Sequence, residues 1–278
     1  IENYKAFLAY SPKIQTDSSA LSIPEHLHSL TLEDVSFCYF GSDVPVLSHV
    51  NLTLCLDKLE KIAIVGNNGA GKSTLIKLLL RLYDPTEGRI LLNGIDIRKF
   101  DVLQYRALFG TVFQDFTILS MSVAENINMK KVEKKDRPKI EAALKAGGIW
   151  EKIQSLPQKA DTILTREFDD SGAILSGGES QKIAIARVFA SQSKIAILDE
   201  PSSALDPIAE SRMFDSIMEV CKERSVIFIS HRLSSCALCD RVYYFENGKV
   251  IEEGTPAYLR SSGGKFQEMF EKQSIHYR

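Results

Sequence analysis

Residues 61–74 read Lys61-Ile62-Ala63-Ile64-Val65-Gly66-Asn67-Asn68-Gly69-Ala70-Gly71-Lys72-Ser73-Thr74. Ile62 to Val65 is a short apolar run suited to a buried parallel strand, and G-x-x-x-x-G-K-S follows at once. Gly66, Gly69 and Gly71 let the backbone bend so that its N–H groups converge on phosphate oxygens, and a helix beginning near Lys72 adds the positive end of its dipole. The Lys72 ammonium is expected to reach the β- and γ-phosphates of a nucleotide, and the Ser73 hydroxyl to ligate Mg²⁺. A glycine-rich turn can be mere packing. The strand before it and Leu75-Ile76-Lys77-Leu78-Leu79-Leu80 after it favour the phosphate loop.

A metal-bound triphosphate needs an acidic partner, which the segment Lys194-Ile195-Ala196-Ile197-Leu198-Asp199-Glu200 supplies at the end of an apolar strand. Asp199 fits the carboxylate that holds the Mg²⁺ shell. Strand alternation sends Glu200 to the opposite side, which assigns it the separate task of general base toward the attacking water. Between these two features lies Leu175-Ser176-Gly177-Gly178-Glu179-Ser180-Gln181, followed by helical spacing of Ile183, Ala186 and Phe189 or Ala190. Free backbone N–H groups, a serine hydroxyl and a helix dipole together make an anion site without a lysine. An ordinary helix cap at Ser176 is the plainer reading.

In order along the chain, Tyr39, the Walker-A loop Gly66 to Thr74, Gln114, the signature Leu175 to Gln181, the Walker-B acids Asp199-Glu200, the D-loop Ser203-Ala204-Leu205-Asp206 and His231 resemble the nucleotide-binding domain of an ABC transporter, from about Leu30 to about Gly254. The resemblance implies a P-loop NTPase core of RecA-like α/β type with a small antiparallel β-subdomain and an inserted helical subdomain, here about residues 115–181. It makes Tyr39 the ring that stacks on adenine, with Phe40 as competitor, and Gln114 a contact to Mg²⁺ or water. Asp206 becomes part of the D-loop and His231 a γ-phosphate contact. ATP and Mg²⁺ are the implied cofactors. The implied partners are a second such domain, identical or not, closing head to tail around two ATP molecules through Ser176, Gly177 and Gly178, and a transmembrane domain. Glu179 stands where Gln is commoner. A carboxylate in the first helical turn suits the dipole, so function is expected to survive, although close to phosphate it can weaken ATP-driven closure.

Gly110-Thr111-Val112-Phe113-Gln114-Asp115 and Ser122-Val123-Ala124-Glu125-Asn126-Ile127 are similar to exporters with a fused membrane domain, bacterial peptide exporters included. Those exporters often carry Thr-Glu-Val-Gly-Glu-Arg-Gly before the signature, whereas this chain has Arg166-Glu167-Phe168-Asp169-Asp170-Ser171-Gly172. Residues 1–28, with Ser11-Pro12 and a polar stretch from Thr16 to Ala20, read as a linker from a transmembrane domain, and 29–278 as the nucleotide-binding domain. The chain begins at Ile1 rather than Met, so a piece of a longer polypeptide is expected.

A chain of 278 residues is long enough for one large α/β domain. Its 34 Lys and Arg against 36 Asp and Glu give a net charge of −2, which gives no sign of a polyanion partner, so no nucleic-acid partner is expected. Five cysteines and no secretory leader fit a reducing cytosol. Cys236-x-x-Cys239 has no second pair beside it, which argues against a zinc site. Apolar runs such as Ile195 to Leu198 are far short of the ~18 residues of a spanning helix, so the chain is expected to be soluble at the cytoplasmic face of a membrane. A kinase or helicase has no use for Leu175 to Gln181. A soluble ABC protein acting on ribosomes or DNA needs a second such domain or a long coiled coil, and a separately encoded importer ATPase ordinarily starts near Leu30.

Overall fold

The computed structural model describes residues 5, 9, 14–168, 170–202, 205–232 and 235–275; Ser203 and Ala204 of the expected D-loop, Ser11-Pro12 and Asp169 lie outside them. The elements are β1 (Ser29–Phe37), β2 (Leu47–Cys55), β3 (Lys61–Gly66), α1 (Lys72–Leu79), β4 (Glu87–Leu92), β5 (Ile95–Asp96), α2 (Val102–Ala107) and β6 (Phe109–Val112). A helical stretch follows with α3 (Val123–Asn128), α4 (Arg137–Ala146), α5 (Trp150–Gln154) and α6 (Gly177–Ala190). The chain then returns to the sheet through β7 (Ile195–Asp199), α7 (Pro207–Val220), β8 (Ser225–Ser230), β9 (Arg241–Glu246) and β10 (Lys249–Gly254), and ends with α8 (Pro256–Ser261) and α9 (Lys265–Ile275).

Two sheets result, a four-stranded one in order β2-β1-β4-β5 and a six-stranded one in order β10-β9-β3-β8-β7-β6. The first is antiparallel throughout. The second is parallel from β9 to β6, with β10 antiparallel at its edge. Two hairpins turn at Asn93-Gly94 and Asn247-Gly248, all four residues at positive φ, as a tight two-residue turn requires.

Alternation along the central strands feeds two separate cores. Ile62, Ile64, Ile195, Ile197, Ile227 and Ile229 face α1 and the antiparallel sheet. Ala63, Val65, Ala196, Leu198, Val226 and Phe228 face the helical stretch and α6. Both faces are covered, so the strands are near-continuous apolar runs. The helical stretch is fastened to α6 by Arg187, whose guanidinium donates to Asn126 O at 2.8 Å and Asn126 Oδ1 at 3.0 Å.

Part of the N-terminal segment is fastened to the domain. Leu21 N donates to Lys99 O at 2.8 Å, Asp101 N donates to Leu21 O at 3.1 Å, and Ile23 and Leu27 pack on the first core.

Candidate active site

All the catalytic candidates sit where parallel strands end. Gly66 closes β3, Gln114 follows β6, Asp199 and Glu200 end and follow β7, and His231 follows β8. Because these strands are parallel, their C-terminal ends share one edge, the edge at which open α/β sheets bind ligands.

The phosphate loop owes two of its glycines to distant backbone. A Cβ on Gly66, at φ 145°, would stand 2.1 Å from the Phe245 carbonyl oxygen of β9. One on Gly71, at φ 97°, would meet Leu47 Cδ2 at 2.7 Å and Val46 O at 2.9 Å. Any side chain there would push β9 or β2 off the loop. Gly71 is also the N-cap of α1, and no side chain caps this helix, so its first amides remain available to an anion. The Lys72 side chain folds back beneath the loop and donates to Gly66 O at 2.8 Å and Asn67 O at 2.9 Å. Burial pulls the ammonium's pKa down, and the carboxylates of Glu200 and Asp199 oppose that shift.

A cleft of about 330 Å³ opens over the loop, lined by Asn68, Gly69, Gly71, Lys72, Ser73 and Thr74 together with Val46, Gln114, Asp199 and Glu200. Gln114 thus joins the Walker residues, as expected. Ser73 Oγ donates to Asp199 Oδ2 at 3.3 Å. Asp199 is 3% exposed. Burial pushes its carboxyl up to about 6, aided by Glu200 and Asp115, with Ser73 and Lys72 pulling the other way. Asp115 is a neighbour whose influence the motif gave no reason to weigh.

That shift has a sign that can be tested. An acid with a pKa of 3.8 when unfolded and about 6 when folded contributes stability below pH 3.8 that is lost as pH rises through 6. Above pH 7 the ionised Asp199 therefore burdens the nucleotide-free and metal-free fold. Asp199→Asn is expected to raise its unfolding free energy at pH 8 by about 1 to 3 kcal/mol and by much less at pH 5. Urea denaturation in EDTA at the two pH values measures this. Equal or lower stability of the variant at pH 8 would show that the charge is not resisted there.

Glu200 departs from the sequence reading in its reason. Strand β7 ends at Asp199, and Glu200 has φ 48°, so a left-handed kink rather than strand alternation separates the two carboxylates. The two carboxylates still face different partners, Ser73 for Asp199 and His231 for Glu200. Glu200 N donates to Ile229 O at 2.9 Å, and Glu200 Oε1 lies 2.8 Å from His231 Nδ1. Two residues with no individual role in the sequence reading hold this pair. Gln181, 2% exposed, donates from Nε2 to Glu200 O at 3.2 Å, and Gln273 on α9 donates from Nε2 to His231 O. Gln181 sits inside the signature stretch but carries no motif meaning of its own. Gln273 lies near the end of the chain, where only the fold reveals its target.

The remaining candidates spread around this centre. Tyr39 is half-buried, edge-on to Phe37 with ring centroids 4.9 Å apart and to Tyr83 at 5.5 Å, and its hydroxyl lies 3.1 Å from Thr74 Oγ1. It therefore touches the Walker helix directly, whereas Phe40 is 96% exposed. Asp206 caps α7, its Oδ1 accepting from Ile208 N at 3.0 Å and Ala209 N at 2.9 Å. This occupies one carboxylate oxygen with a helix end. Ser176 caps α6 in a box with Glu179, whose carboxylate accepts from Ser176 N at 2.8 Å and pairs with Lys152 at 3.1 Å. The bond to Ser176 N, with Lys152 beside it, holds the Glu179 carboxyl below its usual range. Its charge is thus turned onto its own cap and a lysine. Cys236 and Cys239 are both buried in the second core.

Residues 49–203 match the family described as ABC transporter, more than half of the chain. The chain belongs to the ABC transporter family. It is the ATP-binding and ATP-hydrolysing domain of that family. Its relatives include the subtilin transport ATP-binding protein SpaT of Bacillus subtilis, 39% identical over 91% of this chain and 41% of that protein. Another is the ABC multidrug transporter MDR1 of Cryptococcus neoformans var. grubii, 37% identical over 95% of this chain and 19% of that protein. Among solved structures, a bacterial Atm1-family ABC exporter with ATP bound superposes with a TM-score of 0.89 and 31% identity, over 98% of this chain and 47% of that one. This ABC domain therefore spans less than half the length of each of these proteins, and the expected likeness to exporters is borne out. Among the described residues no helix is long and apolar enough to cross a membrane.

Proposed function

We propose that this ABC domain is the ATP-driven motor of a membrane exporter, working at the cytoplasmic face as one of two domains that close head to tail around two ATP molecules. The partner is a second copy or a related domain, and a transmembrane domain carries the transported substrate. In this reading the loop from Gly66 to Thr74 cradles the phosphates and Tyr39 stacks on adenine. Glu200 takes the proton of the attacking water as the water oxygen bonds to the γ-phosphorus and the β–γ bridge breaks. With Nδ1–H donating to Glu200, His231 Nε2 is an acceptor in the neutral ring and a donor to phosphate in the cation.

A hard divalent cation suits the point where Ser73 Oγ meets the buried Asp199 carboxyl, because both are oxygen donors and the resisted charge of Asp199 is relieved by a positive ion. Mg²⁺ would be held there by Ser73 and Asp199, with Gln114 beside them. When bound, it neutralises developing phosphate charge.

One observation carries the head-to-tail reading. A Cβ built on Gly177 meets no atom within 4 Å, so the fold of this chain does not itself require glycine there. Ser176 and Gly177 are exposed, and neither they nor Gly178 line the chain's own phosphate cleft. By helix geometry the amides of Gly177 and Gly178 lack intrahelical acceptors, which suits a γ-phosphate brought by another domain.

If ATP is the glue, association depends on nucleotide by mass action. Light scattering of Glu200→Gln with ATP and Mg²⁺ is expected to report a dimer, and adding Ser176→Arg to return it to monomer. At an ATP concentration too low for Lys72→Ala to turn over, Lys72→Ala and Ser176→Arg, each silent alone, are expected to regain partial ATPase activity when mixed, since one composite site then has both halves intact. Loss of both the dimer and the complementation, with each variant folded, would mean that Ser176 to Gly178 act within one chain.

A further inference from the structure

The loops that leave β7 and β8 are joined at two levels. The first is the Glu200 pairing with Ile229 and His231 described above. The second lies outside the cleft and uses a carboxylate that no motif names. Glu210, in the first turn of α7, has a side chain only 6% exposed. Its Oε1 accepts from Ser202 Oγ at 2.7 Å, and its Oε2 accepts from Arg232 NH1 at 3.1 Å. Ser202 follows the Walker aspartate strand by three residues and is 2% exposed. Arg232 is the residue directly after His231, and its amide donates to Ser230 Oγ at 2.8 Å. Glu210 is itself anchored, because α7 is capped by Asp206 and Glu210 N donates to Asp206 O at 2.8 Å.

A buried ion pair is a poor device for stability, since desolvation offsets most of its attraction; its better-attested use is to select one arrangement among several. Here the arrangement selected is the relative position of the two loops whose tips carry Glu200 and His231. None of Ser202, Glu210 or Arg232 lines the phosphate cleft.

We propose that Glu210 is a positioning residue for ATP hydrolysis: its carboxylate clamps Ser202 to Arg232 and so keeps the His231 imidazole against Glu200. The inference rests on the reading of Glu200 and His231 as the reacting pair. A positioning role of this kind acts on turnover and leaves nucleotide binding to the loop from Gly66 to Thr74.

The test compares steady-state ATPase rates and ATP affinity of the full chain carrying Glu210→Gln, Arg232→Gln or both. Each single variant is expected to lose at least ~10-fold in kcat while its ATP Kd stays within ~2-fold. The double variant should be no slower than the worse single, because the clamp is lost once. Arg232→Lys, which keeps a charge and a donor, is expected to recover most of the rate. A kcat within 2-fold of the parent in either Gln variant would overturn the proposal. So would multiplying losses in the double variant, or a Kd that rises by the factor by which kcat falls. Should the Gln variants fail to fold, Ser202→Ala removes one arm of the clamp with little change of volume. A several-fold kcat loss at constant Kd then supports the clamp, and an unchanged kcat overturns it. If Glu200→Gln hydrolyses ATP at the rate of the parent, the reading of the reacting pair fails rather than the clamp.

Discussion

Replacing Glu200 with glutamine is expected to lower kcat by at least ~100-fold while ATP affinity stays within ~2-fold of the parent. The amide keeps the size and most of the hydrogen bonding of the carboxylate but cannot accept the proton of water at neutral pH. The position is set by its surroundings rather than by its own charge. Glu200 is held through backbone atoms, its N–H on Ile229 O and its carbonyl under Gln181 Nε2, and both survive the substitution. The phosphate cradle is built from other residues, so binding has no reason to fall. Single-turnover hydrolysis alongside equilibrium nucleotide binding separates the two quantities. A wild-type rate in Glu200→Gln would remove the residue from the proton transfer and direct attention to His231.

Lys72→Ala is expected to weaken ATP binding itself, by about 100-fold, which corresponds to about 2.7 kcal/mol and lies within the range for a hydrogen bond to a charged group. The ammonium is buried beneath the loop, so the contact it makes with phosphate is little screened by solvent. In the nucleotide-free fold the same ammonium satisfies the carbonyls of Gly66 and Asn67. Removing it strips the loop of its internal brace and of its main point charge together. Isothermal titration with ATP checks the affinity, and unchanged affinity would argue that the loop is not the phosphate site. Because the deficit lies in binding, raising ATP concentration should recover part of the rate in Lys72→Ala and none of it in Glu200→Gln.

The chemistry of the phosphate loop was legible because it is local. Strand, turn and the start of the helix lie within fourteen consecutive residues, 61–74, and the backbone amides left free for an anion belong to the motif itself. The same holds for Ser176 and Glu179, whose capping box forms between residues three apart. What the motif left out was why Gly66 and Gly71 tolerate nothing else, since the answer is Phe245, Val46 and Leu47, brought in from other strands. Glu210 and Arg232, 22 residues apart, follow no spacing rule, and each reads in isolation as a solvated surface charge. Glu200 was placed for the wrong reason, because a left-handed kink at a strand end leaves no trace in an alternation pattern. For Glu179, the dipole argument was available from sequence, but Lys152 comes from α5 and turns the carboxylate aside only in the folded chain.

The amino-acid sequence by itself determined where the central strands lie and where the glycine loop turns into a helix, since apolar runs, glycine spacing and caps act between near neighbours and carry their physics with them. It also determined that the reactive residues follow strand ends, because a strand buried on both faces must stop before a charge can appear. Only the tertiary structure decided that β8 lies between β3 and β7, which sets the histidine after β8 beside the glutamate after β7. It likewise decided that Tyr39 rests on Thr74, that Gln181 and Gln273 brace Glu200 and His231, and that Ser202 and Arg232 meet at the Glu210 carboxylate. Such meetings depend on the order in which strands pair and on which faces are covered. Those are properties of the whole buried core, and no short window of sequence contains them.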